Sequence, residues 1–291
     1  MPARTVLITG CGPHGIGSAL ATEFHVRGHR VFATGLDEAL LTHLQALGIE
    51  TLVLDVTSPA SIERAASHVA KLTDGKLDIL VNNAGVMHVM PFADSSVSDA
   101  RRVFDVNVFG TIAVTHAFLP LLRSSSAVGS KKKKHDDSGR PGSDAIVANI
   151  VSINSELRPP FFGLYNASKA AVEVLGASMR PELAPLGIRV VAVKTGCVGS
   201  DLFANAPVAR LPERSWYGAA RAWIEGRRML EVARNEDPAV YARGVVEELL
   251  RPRVKKVVWR GGLAFFAWVM SWFGWEGMMV CLSRYATAAD C

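Results

Sequence analysis

Short apolar segments bounded by turn residues recur six times along this chain, and this recurrence constrains the fold more than any other feature. Each segment is apolar throughout instead of alternating in polarity, which predicts a strand covered on both faces. The predicted strands are Thr5–Thr9, Arg30–Ala33, Glu50–Leu54, Leu77–Val81, Ala145–Val151 and Arg189–Lys194.

The stretches between these strands have helical spacing. In the first stretch Ile16, Ala19, Leu20 and Phe24 fall on one face of a helix, at positions i, i+3, i+4 and i+8. Strand and helix therefore alternate, and right-handed crossovers between parallel strands place helices on both faces of one sheet. We predict an α/β fold consisting of a single, doubly wound parallel sheet.

Size and charge fit one large domain without a nucleic-acid partner. The chain has 291 residues, 49% of them hydrophobic, which is enough to bury a full core. Of the formal net charge of +5, the run Lys131–Lys134 supplies four charges, so the remaining surface is nearly balanced.

The cysteines indicate reduced thiols and an intracellular, cytoplasmic location. None has CxxC spacing or a histidine at metal-ligand spacing, so we expect no metal site. They are Cys11, Cys197, Cys281 and Cys291. The apolar run Val6–Ile8 leads directly into glycines, so no signal peptide is predicted.

A glycine-rich turn joins the first predicted strand to the first helix. It reads Thr9-Gly10-Cys11-Gly12-Pro13-His14-Gly15-Ile16-Gly17. Glycines allow a tight turn and close backbone approach to a pyrophosphate, and a helix N-terminus offers unpaired N–H groups to an anion. A plain strand-to-helix turn is the alternative, but the strand before it and the helix after it favour a dinucleotide site.

A tyrosine and a lysine four residues apart form the candidate catalytic group. Tyr165 and Lys169 begin a predicted helix, where this spacing places both side chains on one face. An isolated tyrosine, with a pKa near ~10, is a poor base at neutral pH, and a nearby cation favours its phenolate. Ser152 lies thirteen residues earlier at a strand end, where its hydroxyl can hold a substrate carbonyl.

These motifs together resemble the short-chain dehydrogenase/reductase family, over residues 4 to 200 approximately. The glycine turn is similar to the family's TGxxxGxG motif with one additional residue. Leu54-Asp55-Val56, Asn82-Asn83-Ala84-Gly85 and Tyr165-Asn166-Ala167-Ser168-Lys169 follow in family order. The resemblance implies a Rossmann-type domain over residues 1–250. It also implies cofactor contacts from Gly10, Gly15, Ile16, Gly17, Asp55, Asn83, Tyr165, Lys169, Val198 and Ser200.

By the same resemblance, the reaction is hydride transfer between a nicotinamide and a carbonyl carbon. Tyr165 would give or take the proton of the carbonyl oxygen, and Ser152 would polarise that oxygen. Lys169 would lower the pKa of Tyr165 and hold the ribose. Asn107, the fourth catalytic residue, would support a water that connects Lys169 to solvent.

The choice between NADP and NAD depends on the end of the second strand. An acid there selects NAD by accepting from the ribose 2'-hydroxyl and repelling a 2'-phosphate. Gly35 occupies that position, which favours NADP(H). Asp37 is close enough to keep NAD(H) open, and Leu36 stands where many NADP enzymes of the family carry arginine. His14 is a candidate contact for the phosphate or a solvated loop residue.

Two segments outside the motifs have distinct compositions. Residues 124–144 are rich in Ser, Gly, Lys and Asp, which predicts a flexible basic surface insertion. Residues 200–235 diverge from the family and are expected to form a lid over the substrate. Their large apolar side chains fit either substrate contact or lid packing, and they are Phe203, Trp216, Tyr217, Trp223 and Met229.

The C-terminal segment 251–291 is unusually apolar. Leu263–Trp275 is rich in aromatic residues and a second apolar run, 278–282, follows Glu276, so a clean span of about 20 apolar residues is interrupted. Basic residues precede it, and tryptophans favour a bilayer interface, so contact with a membrane surface through 261–282 is expected. A homo-oligomer interface and a cover over the substrate pocket remain alternatives.

The leading functional hypothesis is a membrane-associated NADP(H)-dependent reductase of a hydrophobic or lipid-like ketone, at the endoplasmic reticulum or a lipid droplet. The sequence is similar to fungal NADPH-dependent 1-acyldihydroxyacetone-phosphate reductases in Asp74–Leu80 and Asp237–Ala242. A soluble ketoreductase of secondary metabolites or steroid-like ketones is the second hypothesis. An inactive dinucleotide-binding scaffold is the third, and the presence of all four catalytic residues disfavours it.

Overall fold

The computed structural model of the chain describes residues 2–126, 145–202, 205–228 and 235–272. Seven parallel strands form one sheet in the order β3-β2-β1-β4-β5-β6-β7. The strands are β1 (Thr5–Ile8), β2 (Arg30–Gly35), β3 (Glu50–Val53), β4 (Ile79–Asn82), β5 (Ala145–Ser152), β6 (Ile188–Thr195) and β7 (Val257–Arg260). The predicted single α/β domain with a doubly wound parallel sheet is confirmed.

Helices connect successive strands. They are α1 (Ile16–Val26), α2 (Thr42–Gln45), α3 (Pro59–Leu72), α4 (Val97–Phe104), α5 (Thr111–Ser125), α6 (Asn154–Leu157), α7 (Gly163–Leu183), α8 (Arg221–Glu225), α9 (Pro238–Leu249) and α10 (Ala264–Met270). A π-helical segment, Asp105–Gly110, joins α4 to α5. Segments of this kind are often found at functional sites.

The core lies on both faces of the sheet, as expected for strands that are apolar throughout. On one face Phe24 of α1 and Tyr241 of α9 pack against strand residues such as Ile8. On the other face Phe118 of α5 packs against residues such as Leu7. These layers fix the strands, so that the loops at their carboxyl ends are held at one edge of the sheet.

The six predicted strands are all present, with ends that differ by at most two residues. The seventh strand, β7, is missing from the prediction. It has four residues, lies at the sheet edge beside β6 alone, and follows the basic residues Lys255 and Lys256. A segment of four residues is too short to show a clear periodicity. Because the residues after it are apolar, the prediction included it in the C-terminal segment 251–291. The predicted boundary at residue 250 therefore falls before the last strand of the domain.

The remaining predicted segments are described in part. Helix α5 continues to Ser125, inside the predicted insertion 124–144, and residues 127–144 lie outside the described residues. Phe203 and Met229 of the predicted lid and residues 273–291 of the C-terminal segment also lie outside them. In the described part of the chain one helical stretch, Val97–Ser125, is long and apolar enough to cross a membrane, but 50% of its most apolar window is buried in the fold.

Candidate active site

A cleft of about 320 Å³ opens at the carboxyl edge of the sheet, where β1 lies between β2 and β4. This is the point where the strand order reverses, and such points are where ligands bind in open α/β sheets. Nine of the predicted cofactor contacts line the cleft: Gly10, Gly15, Ile16, Asp55, Asn83, Tyr165, Lys169, Val198 and Ser200. Ser152 lines it as well. Gly17 and Asn107 lie next to it.

Two glycines of the turn after β1 are required by close backbone contacts. Gly10 has a φ of +72°, and a Cβ there would lie 2.8 Å from the Cα of Ala84. A Cβ on Gly17 would lie 2.5 Å from the carbonyl oxygen of Gly10 and 2.6 Å from Nδ2 of Asn83. Gly17 therefore acts by letting α1 approach the turn, whereas Gly10 allows the turn itself.

The N-terminus of α1 faces the cleft without a side-chain cap. Its N-cap residue, Gly15, makes no side-chain hydrogen bond, whereas Ser58, Ser96 and Asp237 cap α3, α4 and α9. Gly15 and Ile16 line the cleft. The first N–H groups of α1 and the positive end of its dipole therefore suit an anionic ligand such as a pyrophosphate.

Asn83 supports the glycine turn from below. Its Nδ2 donates to the carbonyl oxygens of Thr9 (2.8 Å) and Gly10 (3.0 Å). The Oγ1 of Thr9 accepts from the backbone N–H groups of Asn83 (3.0 Å) and Ala84 (2.9 Å). Thr9 thus joins the ends of β1 and β4. Thr9 is absent from the predicted site residues, although it begins the glycine motif.

The end of β2 carries no acid that lines the cleft in the described structure. Gly35 and Leu36 line it, and Asp37 instead accepts the backbone N–H of Leu40 (3.0 Å) and so caps its own turn. His14 is exposed and does not line the cleft. Farther along the edge, Oδ1 of Asp55 accepts from the backbone N–H (2.8 Å) and hydroxyl (2.7 Å) of Thr57.

Tyr165 and Ser152 form a buried hydroxyl pair in the cleft. Ser152 ends β5 and Tyr165 lies in the first turn of α7, and both are less than a tenth exposed. Burial raises the pKa of Tyr165 to about 12, and its hydrogen bond with Ser152 acts in the opposite direction. The backbone N–H of Asn154 donates to the Oγ of Ser152 at 3.1 Å. The tyrosine is therefore a protonated phenol at neutral pH.

Lys169 lies one helical turn after Tyr165 and is also buried. Its Nζ donates to the carbonyl oxygen of Ile150 (2.9 Å) and lies 5.8 Å from the centroid of the Tyr165 ring. Burial lowers its pKa to about 8 because the ammonium loses its hydration. The predicted spacing places lysine and tyrosine side by side.

The predicted lowering of the Tyr165 pKa is wrong. The family resemblance implies that Lys169 lowers the pKa of Tyr165, whereas burial raises it. The ammonium is over the face of the ring and is hydrogen-bonded to Ile150, so burial outweighs its attraction for a phenolate. The site therefore favours the phenol as a proton donor.

Asn107 lies in the π-helical segment and is 2% exposed. Its Oδ1 accepts the backbone N–H of Val86 (2.8 Å), and its Nδ2 donates to the carbonyl oxygen of Val86 (3.0 Å) and to Ser168 Oγ (3.0 Å). Both amide hydrogens are thus used within the protein. A water near Lys169 would have to donate to the Oδ1 or the backbone oxygen of Asn107.

The loop after β6 is held by backbone pairs even though it lacks the family's Pro-Gly turn. Cys197 exchanges hydrogen bonds with Gly262, and Gly199 donates to Glu236. A Cβ on Gly196 would lie 2.1 Å from the carbonyl oxygen of Gly262, which explains the glycine there. This loop brings Val198 and Ser200 to the cleft, as the resemblance implies.

The substrate side of the cleft is apolar. Met87 and Phe162 pack around Tyr165, with partly buried Val89, Leu202 and Ala206 beside them. Among the described residues that line the cleft, the charged ones are Asp55, Lys169 and Asp201. In the described part of the chain no group of three or more potential metal ligands comes together.

Two of the described lid aromatics, Tyr217 and Trp223, pack against the protein, and none of the described ones lines the cleft. Tyr217 and Trp223 make edge contacts with Phe161, at ring distances of 5.9 and 5.7 Å. Trp216 is 89% exposed. Ser215 donates to Oδ2 of Asp94 at 2.6 Å and so ties the lid to the loop after β4. Of the two alternatives for these aromatics, lid packing fits Tyr217 and Trp223, whereas the exposed Trp216 fits neither.

Comparison with known proteins assigns the motifs to one family. A family model described as short chain dehydrogenase matches residues 4–210. The chain is 38% identical over 277 residues to short-chain dehydrogenase ptmH of Penicillium ochrochloron, with 93% of each chain covered. It is 37% identical over 275 residues to short-chain dehydrogenase cctT of Talaromyces islandicus, which covers 93% of this chain and 90% of that relative.

Solved structures show the same fold. A short-chain dehydrogenase from Streptomyces avermitilis matches with a TM-score of 0.77 and 28% identity over 100% of both chains. A Burkholderia phymatum short-chain dehydrogenase/reductase in complex with NAD matches with 0.69, 25% identity and 88% of each chain. The Pseudomonas aeruginosa RhlG/NADP complex matches with 0.60 and 30% identity, over 71% of this chain and 78% of that one.

Proposed function

The chain belongs to the short-chain dehydrogenase family, whose members are oxidoreductases acting on CH–OH and C=O groups, and we propose that it reduces hydrophobic ketones with NADPH. The observation that carries this proposal is the buried Tyr165–Ser152 pair between a glycine turn built for a dinucleotide and an apolar pocket.

The residues at the glycine turn fit a nicotinamide dinucleotide. A Cβ at Gly10 or Gly17 would collide with neighbouring atoms, and the uncapped start of α1 lines the cleft, where it favours a pyrophosphate. Asp55 is placed for the adenine end and Val198 and Ser200 for the nicotinamide end. We favour NADP(H) because Gly35 ends β2 and Asp37 is turned away from the cleft into its own cap.

In the proposed reaction Tyr165 is the acid. When bound, the nicotinamide supplies a hydride to the carbonyl carbon. The hydroxyls of Tyr165 and Ser152 hold and polarise the carbonyl oxygen, and Tyr165 donates its proton to that oxygen. A phenol whose pKa is raised by burial stays protonated at neutral pH, which suits reduction more than oxidation.

Lys169 and Asn107 act on the tyrosine in this account. After Tyr165 gives up its proton, the ammonium of Lys169 lies beside the phenolate and stabilises it. Asn107 fixes the loop after β4 through Val86 and contacts Ser168 between the two catalytic residues of α7. We propose that the proton returns by way of a water between Asn107 and Lys169.

The charges in the cleft favour an uncharged substrate. At the substrate end of the cleft a phosphate group would need a cation or a cluster of donors, and the described cation at that end, Lys169, is hydrogen-bonded beside the tyrosine. Asp201 adds negative charge to the same lining. We therefore place a bulky neutral ketone, of the polyketide or steroid-like kind, ahead of acyl-dihydroxyacetone phosphate, which was the first expectation from the sequence.

Turnover with both substrate types tests the proposal. The purified full-length protein is assayed for nicotinamide oxidation with NADPH and NADH, against bulky neutral ketones and acyl-dihydroxyacetone phosphate. We expect a higher kcat/KM with NADPH and with the neutral ketones. Higher kcat/KM with the phosphorylated ketone would return the first substrate to the lead, and no turnover of any ketone would favour a scaffold.

We further propose that α10 contacts a membrane surface. Its small residues Ala264 and Ala267 are buried against Ile153, whereas Phe265 and Trp272 are 75% and 72% exposed. Aromatic side chains on one face suit the interface of a bilayer, and the basic segment before β7 suits anionic lipid. An intracellular enzyme held at such a surface would take its substrate from the lipid phase.

Flotation with vesicles of mixed neutral and anionic lipid tests this contact. We expect the full-length protein to float with the vesicles and the variant Phe265→Ser/Trp272→Ser to remain below. The replacement of exposed Trp216 by serine is the control. If both the wild type and the double variant remain unbound, the membrane proposal is wrong. A measurement of the molecular mass in solution then tests whether α10 forms the interface of a homo-oligomer.

A further inference from the structure

A buried cation behind the active site is used by none of the steps above. Lys194, near the end of β6, has a side chain that is 3% exposed. Its Nζ forms ion pairs with Glu156 on α6 and with Glu173 on α7, the latter at 2.6 Å. It also lies 4.7 Å from the ring centroid of Trp259 on β7. One ammonium therefore joins four elements.

Burying an ammonium is unfavourable unless opposite charges compensate it. Here two carboxylates do so, and they come from two helices that carry or adjoin catalytic residues. Helix α6 begins two residues after Ser152, and α7 carries Tyr165 and Lys169. Removing the lysine would leave two carboxylates close together without their shared cation. The pairing thus holds α6 against α7.

The network continues to Ser152 itself. Oγ of Ser155 lies 2.6 Å from Oε2 of Glu173 and 2.7 Å from the carbonyl oxygen of Ser152. The hydroxyl has one proton for these two acceptors, and it links the backbone of Ser152 to the carboxylate that Lys194 pairs. Asn154 precedes Ser155 in the same turn. Its backbone N–H donates to Ser152 Oγ, and its Nδ2 donates to Oδ1 of Asn166 (3.2 Å).

We propose that Lys194 is a positioning residue that, through Glu156, Glu173 and Ser155, holds the turn bearing Ser152 at hydrogen-bonding distance from Tyr165. The consequence for turnover rests on the function proposed above. The lysine does not line the cleft, so its effect on the reaction is indirect. A displacement of about 1 Å at a catalytic group costs up to about 100-fold in rate.

The variant Lys194→Met tests the proposal in the full-length protein. Both carboxylates keep some exposure, 30% and 24%, so hydration can partly replace the cation and the variant is expected to fold. We expect kcat to fall about 30-fold while the NADPH dissociation constant, measured by fluorescence, stays within about twofold. The isotope effect on kcat with C4-deuterated NADPH should rise, because hydride transfer becomes slower.

The double variant Lys194→Met/Glu173→Gln sharpens the test. The glutamine keeps an acceptor for Ser155 and removes one of the two repelling charges. We therefore expect the kcat of the double variant to be no lower than that of Lys194→Met alone. If Lys194→Met fails to fold, Glu173→Gln alone is the substitute, with a smaller fall in kcat. Glu248→Gln is the matched control, since Glu248 is also a buried carboxylate paired with basic residues, and it lies on α9 outside the cleft.

Hydrogen exchange gives a readout that does not depend on activity. In Lys194→Met the amides of α6 should exchange faster than in the wild type, and in Glu248→Gln they should not. The proposal is overturned if Lys194→Met leaves both kcat and the exchange of the α6 amides unchanged. It is also overturned if Lys194→Met and Glu248→Gln lose kcat, NADPH affinity and stability to the same extent. If the wild type reduces no ketone, the proposed function fails, and α6 exchange alone decides whether Lys194 positions this turn.

Discussion

The two ends of the cleft are held in place by different kinds of interaction. At the dinucleotide end, Gly10, Gly17 and Asn83 fit together through backbone contacts that leave no room for a Cβ. At the catalytic end, Ser152 is held by a turn whose side chains lead to the buried cation of Lys194. One end is determined by steric exclusion and the other by buried charge.

This difference explains which parts of the site the sequence reveals. Steric exclusion requires glycine at fixed positions in one short segment, so it leaves a local motif. A buried charge network needs partners from several elements, and its members Glu156, Glu173 and Lys194 are far apart in the chain. The dinucleotide end should therefore respond to added volume, and the catalytic end to lost hydroxyls and charges.

The largest effect is expected at the catalytic end, from Tyr165→Phe. The phenylalanine keeps the ring and removes the proton donor, so kcat for ketone reduction should fall about 1,000-fold. NADPH affinity, measured by fluorescence titration, should stay close to that of the wild type. Retention of the wild-type kcat would show that another group protonates the alkoxide.

The next largest effect is expected at the dinucleotide end, from Gly17→Ala. The added Cβ would lie 2.5 Å from the oxygen of Gly10, so the turn must shift, at a cost of about 2 kcal/mol. NADPH binding should weaken about 30-fold, measured by titration calorimetry. Gly163→Ala is the control, because a Cβ there meets no atom within 4 Å. Equal affinities for the two variants would mean that the close contact does not shape the cofactor site.

The pH dependence of reduction distinguishes charge from volume at the catalytic end. Burial lowers the pKa of Lys169 to about 8, so the ammonium is present below that pH and lost above it. We expect kcat/KM for reduction to be level below pH 8 and to fall up to tenfold per pH unit above it. The measurement is a pH profile with the wild type. A profile that stays level to pH 10 would contradict a role for the charge of Lys169.

The smallest effect is expected in the lid. The lid is held neither by the steric exclusion at the glycine turn nor by the buried charge of Lys194. Trp223→Ala removes the edge contact with Phe161, and we expect about 1 kcal/mol less lid stabilisation and a KM for the ketone raised about fivefold. The replacement Trp216→Ala, at an 89% exposed residue, should leave KM unchanged. Equal KM values for both variants would show that this packing does not affect substrate binding.

Most of the sheet was predictable because its strands are buried on both faces and are apolar throughout. The edge strand β7 was not predictable. It has four residues and pairs with β6 alone, so its sequence needs few apolar residues and gives a weak signal. The catalytic residues were predictable from spacing, but the pKa of Tyr165 was not, because its burial depends on residues distant in the sequence, such as Met87 and Leu202. Thr9 was overlooked although its hydroxyl accepts from two amides of the facing loop.

The most direct test of the proposed reaction follows a deuterium atom from the cofactor to the product. The wild type is incubated with NADPH that carries deuterium at both C4 positions and with a bulky neutral ketone, and the alcohol is examined by mass spectrometry. We predict one deuterium on the carbinol carbon with the wild type and no labelled alcohol above background with Tyr165→Phe. Alcohol formed by the wild type without deuterium, or an absence of alcohol with every ketone tried, would contradict the account.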